Sequence, residues 1–587
     1  MPDATKKTTH TLLDELSSTA IAGNDILSSC LYVCGITIIF AGIWAPVIFL
    51  AIGGVLWLYK HVYTEVVEAL PLNGGAYNCL LNATAKPMAA IAGVMTTLSY
   101  MATSVISAKT AAAYLHTVFT SIPVIPVTAA IIVAFALLVI IGVKDSAKVA
   151  KGIFLFHIFV LTLFVCIGLL MLFNHGVGFL AQSVDSTREL FAREGALKML
   201  FFAFCASLLG VSGFESSANF VEEQQPGVFR KTLRNMLFGV VLFNPLIAIV
   251  ILNTMNLSAI TASKDFVLAQ SAISIGGAGL QYLIVADAFL VLSGAVLASF
   301  VGASGLLYRM TLDHCFPSSI LLPKLKNRNQ NANRIIVTFA VLCISILVLT
   351  GGELLSLAGV YTISFLGVMS LFAVGNMILR ANRPDLKRSY RGPLIYTALA
   401  AVATLLGIVG NILIDPNNLL YFLLYFIPVA TLVMMMIYRD SILEWTLHLF
   451  DGIPFLYVRL EPLFNHVVKP RILLFAHHPH KLYRSLEYIR RNETSRNITV
   501  IFCKESDEES GTLLKKFSEY IEVFKEANVF ENLRIEFLVE EKETFGPELV
   551  KTYATRFRTN RNNIFIGSIH DSHEFSFEQL GGVRIIQ

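Results

Sequence analysis

Two stretches of this sequence place a carboxylate two residues after a glycine: Ala22-Gly23-Asn24-Asp25, and Gly210-Val211-Ser212-Gly213-Phe214-Glu215-Ser216. Both lie in long apolar runs. A charge at membrane depth costs at least about 3 kcal/mol unless it faces a cavity, an ion or a partner, so Asp25 and Glu215 are functional candidates by default. The glycines supply the second half of the argument. Unwound backbone in an apolar run is tolerated only where it lines a protein-enclosed site, and the carbonyls it frees can hold a cation. The chemistry implied is cation or proton binding between the two stretches. Two other readings stand beside it: the glycines let helices pack closely, and Asp25 forms an internal ion pair with Lys109, which otherwise extends toward the membrane surface.

Further polar residues are placed to complete such a site. Ser99, Thr103 and Ser107 repeat at i, i+4 and i+8 and so share one helix face. Their hydroxyls can ligate a dehydrated cation or hold helices together. Tyr32 lies two turns beyond Asp25, and Tyr361 sits mid-run; either can gate or ligate. His157 and Lys109 are candidate proton relays, with a hydrogen-bonded core histidine as the plainer reading of His157. Asp287 is similarly ambiguous, and Glu65 and Glu68, at the end of a run, read as solvated.

These residues need long apolar helices to carry them. Of 587 residues, 55% are hydrophobic and 15% charged, against about 25% charged in a soluble domain. The net charge of +4 is small for the length and gives no support for a nucleic-acid partner. Runs of about 20 apolar residues, enough to cross about 30 Å of hydrocarbon, fall near 18–41, 44–69, 84–119, 124–142, 150–174, 197–221, 232–256, 282–311, 334–350, 352–380, 393–413 and 418–439. That is twelve spans. Basic residues crowd every second loop, as at Arg230, Lys231 and Arg234, or Arg380, Arg383 and Arg388, and the loops between carry few. Lys and Arg stay on the cytoplasmic side, so both termini are expected there, in a cell membrane. The expected organisation is a cytoplasmic tail (1–17), a transmembrane domain (18–440), an interfacial or linker helix (441–469) and a cytoplasmic α/β domain (470–587). Spans one and six take corresponding places in two five-helix halves, which fits an inverted repeat with two added helices.

Leu70-Pro71-Leu72-Asn73-Gly74-Gly75-Ala76-Tyr77, together with Gly213-Phe214-Glu215-Ser216 and Glu222-Glu223-Gln224-Gln225-Pro226, resembles segments shared by amino acid permeases. Over roughly residues 15–440 the chain is similar to the amino acid, polyamine and organocation (APC) superfamily, which implies a LeuT-like transporter fold. Amino acid permeases usually have a glycine-rich break in the first helix, whose amides receive a substrate carboxylate. Here Gly23-Asn24-Asp25 puts an anion at that place, which attracts a cation instead. In this the chain resembles KimA-type, KUP-like potassium importers. That resemblance implies proton-coupled potassium uptake, with Gly23, Asn24, Asp25, Tyr32, Ser99, Thr103, Ser107, Ser212, Gly213, Glu215 and Tyr361 along the path. A further carboxylate expected on span three is replaced by Ser99 and Thr103. An amino acid or polyamine permease is the alternative, and a transporter-like membrane sensor the third reading.

The last 118 positions change character. Strand-like runs at 471–475, 498–503, 533–539 and 563–566 alternate with amphipathic stretches at 480–491, 511–525 and 547–557, which implies a parallel sheet with covering helices. This part resembles the universal-stress-protein fold, implying a regulatory, homodimerising domain that senses a nucleotide. His477, His478 and His570 follow the first and last strands, where ligands of such sheets bind; exposed loop residues are the plainer reading. The eight cysteines form no CxxC, and neither a metal centre nor a cofactor is expected. P-loop, HExxH and GxSxG motifs are absent, so no enzyme activity is expected.

Overall fold

Apolar segments with no water at hand must close their backbone hydrogen bonds within themselves, and helices account for most of this chain. The computed structural model describes residues 12–71, 73–141, 147–175, 178–316, 328–384, 386, 388–439, 441–442, 445–446, 471–476, 479–493, 495, 497–503, 508–527, 529–530, 533–541, 545–557, 559, 563–567 and 583–586. The chain divides into two compact units, the larger from nearly all of the first 430 residues and the smaller mainly from the remainder.

The larger unit is built from α1 (Glu15–Ser28), α2 (Cys30–Ala41), α3 (Ala45–Ala69), α4 (Gly75–Ala83), α5 (Lys86–Val118), α6 (Val124–Ile141), α7 (Ala147–His175), α8 (Gly178–Glu194), α9 (Ala196–Ser207), α10 (Val228–Thr254), α11 (Leu257–Ala262), α12 (Val267–Leu312), α13 (Arg328–Leu349), α14 (Leu354–Asn382), α15 (Leu394–Ile414) and α16 (Asn417–Ile437). Among the described residues, ten helical stretches are long and apolar enough to cross a membrane, and Asn333–Leu349 is a shorter apolar helix. This is a multi-pass membrane protein. The apolar window of α14 is 89% buried and that of α16 only 11%. α14 is therefore an interior helix, and α16 turns Leu420, Leu424 and Ile427 outward.

Three expectations are corrected here. The first span is not unwound at Gly23-Asn24-Asp25, which stay helical within α1. The interruption comes at Ser29, where the Ser29 amide bonds back only three residues to the Ile26 carbonyl. Ser28 and Ser29 donate their hydroxyls to the carbonyls of Asp25 (2.8 Å) and Ile26 (2.6 Å), which competes with the regular ladder. Glu65 is not solvated. It is 1% exposed, takes a hydrogen bond from Arg380 Nε at 2.6 Å and another from the Gly392 amide at 3.2 Å, because α14 runs alongside α3 and a buried carboxylate needs such partners. Glu68 remains half-buried and accepts from Ser389. Lys109 pairs with Asp265, just before α12, rather than with Asp25.

The smaller unit holds a five-stranded parallel sheet in the order β3-β2-β1-β4-β5, with β1 (Ile472–Phe475), β2 (Asn497–Cys503), β3 (Arg534–Glu540), β4 (Ile564–Gly567) and β5 (Arg584–Ile586). Leu473 is in register with Thr499 on one side and Ile564 on the other. Successive β1 side chains point to opposite faces. Ile472 and Leu474 meet Leu482, Leu486 and Ile489 of α17 (Pro479–Asn492) and Phe517 of α18 (Glu508–Glu526). Leu473 and Phe475 meet Leu549, Val550 and Tyr553 of α19 (Pro547–Arg556). Covering both faces explains why β1 and β4 are apolar throughout. Most of the expected interfacial helix lies outside the described residues.

Candidate functional site

Span six is where the backbone departs from helix. α9 ends at Ser207 and a 3-10 turn covers Leu208–Val211. Ser212 is extended, Gly213 has φ +93°, and a second 3-10 stretch runs Phe214–Asn219. The positive φ favours glycine, and packing demands it. A Cβ on Gly213 would lie 2.7 Å from the Ile26 amide nitrogen and 2.9 Å from the Asp25 carbonyl carbon. The turn of span six therefore sits directly on the last turn of α1.

That contact brings the two carboxylates together. Asp25 accepts a hydrogen bond from the Ser216 hydroxyl, and Glu215 accepts one from the Gly213 amide at 3.1 Å. The two are within electrostatic reach of each other. Both are half-buried, and among the described residues neither forms an ion pair with a Lys, Arg or His. The helical run that ends at Val211 adds the negative end of its dipole to the same place. The cleft between α1 and span six thus holds two neighbouring carboxyl groups and, among the described residues, no basic side chain paired with either.

Hydroxyls surround it. Ser212 is hydrogen-bonded to Tyr361 of α14, and Tyr32 of α2 faces the same serine and Asp25. Tyr100 of α5 accepts from Asn219 Nδ2 at 2.6 Å and faces both carboxylates. Asn219 is absent from the sequence reading; its one signal there is its spacing of three residues from Ser216, one 3-10 turn.

The remaining candidates have other surroundings. Gly23 lies against the Phe154 ring, and Asn24 donates to the Ala150 carbonyl at 2.9 Å, so both face α7. Thr103 donates to the Ser99 carbonyl at 2.9 Å, which occupies its proton, whereas the buried Ser107 hydroxyl has no hydrogen-bond partner among the described residues. Lys109 is held by Asp265, and the preceding residue, Lys264, lies 3.7 Å from Glu353 at the start of α14. His157 pairs with Asp287. His477, His478 and His570 lie outside the described residues. Among the described residues no group of three His, Cys, Asp or Glu side chains has the arrangement of a metal site.

The shared sequence motifs have a structural role beside this cleft. The Asn73 amide donates to Glu222 Oε1 at 3.1 Å, and the Glu222 amide donates to Asn73 Oδ1 at 3.0 Å. The stretch before α4 and the end of span six are thereby locked reciprocally. Leu13 pairs with Gln224 as a short parallel bridge, its amide bonding the Glu223 carbonyl at 2.7 Å.

The family profile described as amino acid permease matches residues 13–437. The sequence matches no curated protein. Two solved structures of a manganese transporter from Eremococcus coleocola are similar, one of a histidine-to-alanine mutant and one with an aromatic bis-isothiourea substituted compound. They share 12% and 14% identity, with TM-scores of 0.48 and 0.45. Each match covers 74% of this chain and 95% of the other. The chain belongs to the amino acid permease family, and so to the APC superfamily, whose members are transporters rather than enzymes.

Proposed function

We propose that this amino acid permease family member is a proton-coupled importer of a small monovalent cation, potassium in the first instance, working by alternating access around the Asp25–Glu215 cleft. One observation carries the reading: two neighbouring carboxylates at the meeting of α1 and span six with no basic partner among the described residues. Two neighbouring carboxyl groups repel each other in low dielectric when both are ionised, and a cation or a proton relieves that. The hydroxyls of Ser212, Ser216, Tyr32, Tyr361 and Tyr100 are uncharged oxygen donors, suited to replacing the water shell of a weakly hydrated ion. Gly213, Ser99, Thr103 and Ser107 belong to the same path, with Gly23 and Asn24 holding α1 in position against α7.

The architecture assigned to this function has twelve spans. The first helical stretch, 55 residues long, extends about 80 Å at 1.5 Å per residue, enough for two crossings, and the shorter helix at Asn333–Leu349 supplies another. Both termini are cytoplasmic, and spans one and six are equivalent members of an inverted repeat. The C-terminal unit regulates transport as a homodimerising, nucleotide-responsive domain, its ligand bound beyond the ends of β1 and β4, where the strand order reverses.

The test is uptake of a potassium tracer into liposomes holding the full chain, with and without an inward proton gradient. Gradient-stimulated uptake is expected. A second reading, amino acid uptake, is favoured by the family match, and the cleft would then receive the substrate ammonium group. Accumulation of a labelled amino acid mixture with no potassium uptake would establish it in place of the first.

A further inference from the structure

A second pair of ionisable groups sits wholly inside the larger unit, away from the cleft. His157 of α7 and Asp287 of α12 are both 0% exposed, with Nδ1 2.7 Å from Oδ2. Their outer atoms, His157 Nε2 and Asp287 Oδ1, are buried without a hydrogen-bond partner among the described residues. The titratable groups that face them are Cys30 on α2 and Tyr114 on α5, with Cys34 beside both of these. Among the described residues neither member pairs with a Lys or Arg.

The pair's histidine lies on a face of α7 that also contacts the first span. Ala150, Phe154 and His157 fall at i, i+4 and i+7 on one face of α7. The Ala150 carbonyl receives Asn24, Phe154 lies against Gly23, and His157 reaches Cys30. That face of α7 therefore follows the first span across its interruption at Ser29. A shift of α1 against α2 changes the surroundings of His157 directly.

We propose that the His157–Asp287 pair is the carrier of the coupled proton, a centre separate from the Asp25–Glu215 cleft. The inference rests on the proton-coupled reading above. If the pair served only to fasten α7 to α12, apolar side chains of similar volume would do so at least as well. Histidine is the side chain suited to exchanging a proton near neutral pH, and at 2.7 Å no metal fits between nitrogen and oxygen. With the proton bound, imidazolium and carboxylate sum to zero charge. Release breaks one N–H bond, passes the proton to water and leaves imidazole beside carboxylate at a net −1. No other bond changes. The cleft can then exchange its cation without either carboxyl group having to carry the coupled proton.

The test uses the full chain in liposomes with the double variant His157→Gln and Asp287→Asn. It replaces both charges at once and so avoids stranding either one in the interior. Two activities are read with a potassium tracer: exchange at zero gradient, and accumulation driven by a proton gradient. Exchange close to the unmodified rate, with accumulation reduced about tenfold or more, is the expected result. Accumulation within about twofold of the unmodified protein overturns the proposal, since the proton is then carried elsewhere. Equal loss of both activities in a variant that unfolds at the unmodified temperature also overturns it, since the pair then serves the transport cycle as a whole and not its proton coupling. Should the double variant fail to fold, the imidazole nitrogen resonances of the unmodified protein decide: a histidine buried from solvent must change protonation when potassium is added, and unchanged signals refute the idea. If the unmodified protein shows no gradient-driven potassium uptake, the cation reading has failed, and the same variant is measured with the labelled amino acid mixture.

Discussion

The Asp25–Glu215 cleft and the Glu65–Arg380 contact both place carboxylates inside the larger unit, yet they treat the charge in opposite ways. Glu65 is 1% exposed and gripped by a guanidinium. Asp25 and Glu215 are half-buried and receive only hydroxyl and amide donors. A charge neutralised from within contributes to the fold alone, whereas a charge left without a counter-ion makes the protein depend on something that comes and goes. Substitutions at the two places should therefore diverge. Glu65→Gln leaves Arg380 facing a neutral amide and should destabilise the protein by about 3 kcal/mol or more, read as a lower unfolding temperature of the detergent-solubilised chain. Asp25→Asn and Glu215→Gln should do the reverse. Stability should hold or rise, while tracer uptake falls about a hundredfold, the equivalent of about 3 kcal/mol of charge-assisted bonding. A fall in stability at Asp25 matching that at Glu65 would erase the distinction.

Two glycines sharpen the same contrast. Gly213→Ala forces a side chain into left-handed backbone and onto the Asp25–Ile26 peptide, at a cost of about 2 kcal/mol or more. Uptake should fall with it, because the cleft is formed by that contact. Gly23→Ala meets only the edge of the Phe154 ring, which can turn aside, and should cost about 1 kcal/mol. Smallest of all, Asn73→Ala removes the side-chain oxygen that accepts from the Glu222 amide, keeps the backbone amide bonded to Glu222 Oε1, and should lower stability by about 1 kcal/mol, with transport largely kept.

How much of this was legible depends on how local the cause is. The departure of span six from helix follows from Gly210, Ser212 and Gly213, and the structure has it there. In span one the same glycine signal misleads, because Gly23 serves packing against Phe154. The informative residues are the consecutive Ser28 and Ser29, whose hydroxyls compete for helix carbonyls. Four strands of the smaller unit are readable from apolar runs. The three residues of β5 are too few to stand out. Partners far apart in sequence were beyond reach: Lys109 and Asp265 are 156 positions apart, His157 and Asp287 are 130, and Glu65 and Arg380 are 315. Lys109, His157 and Asp287 are visible as polar residues in apolar runs, whereas Glu65 and Arg380 read as solvated ends of runs and Asp265 gives no signal; which partner answers each is decided by tertiary packing alone.

The parallel bridge between Leu13 and Gln224 has a kinematic consequence. It ties the chain entering α1 to the end of span six, and Gly213 ties the last turn of α1 to the middle of that span. These two joints are separated by about 18 Å of helix at 1.5 Å per residue. Two bars joined at two points lose their freedom to pivot separately. The first helix and the irregular half of span six can swing only as a single lever, so a label on either should register the displacement of both.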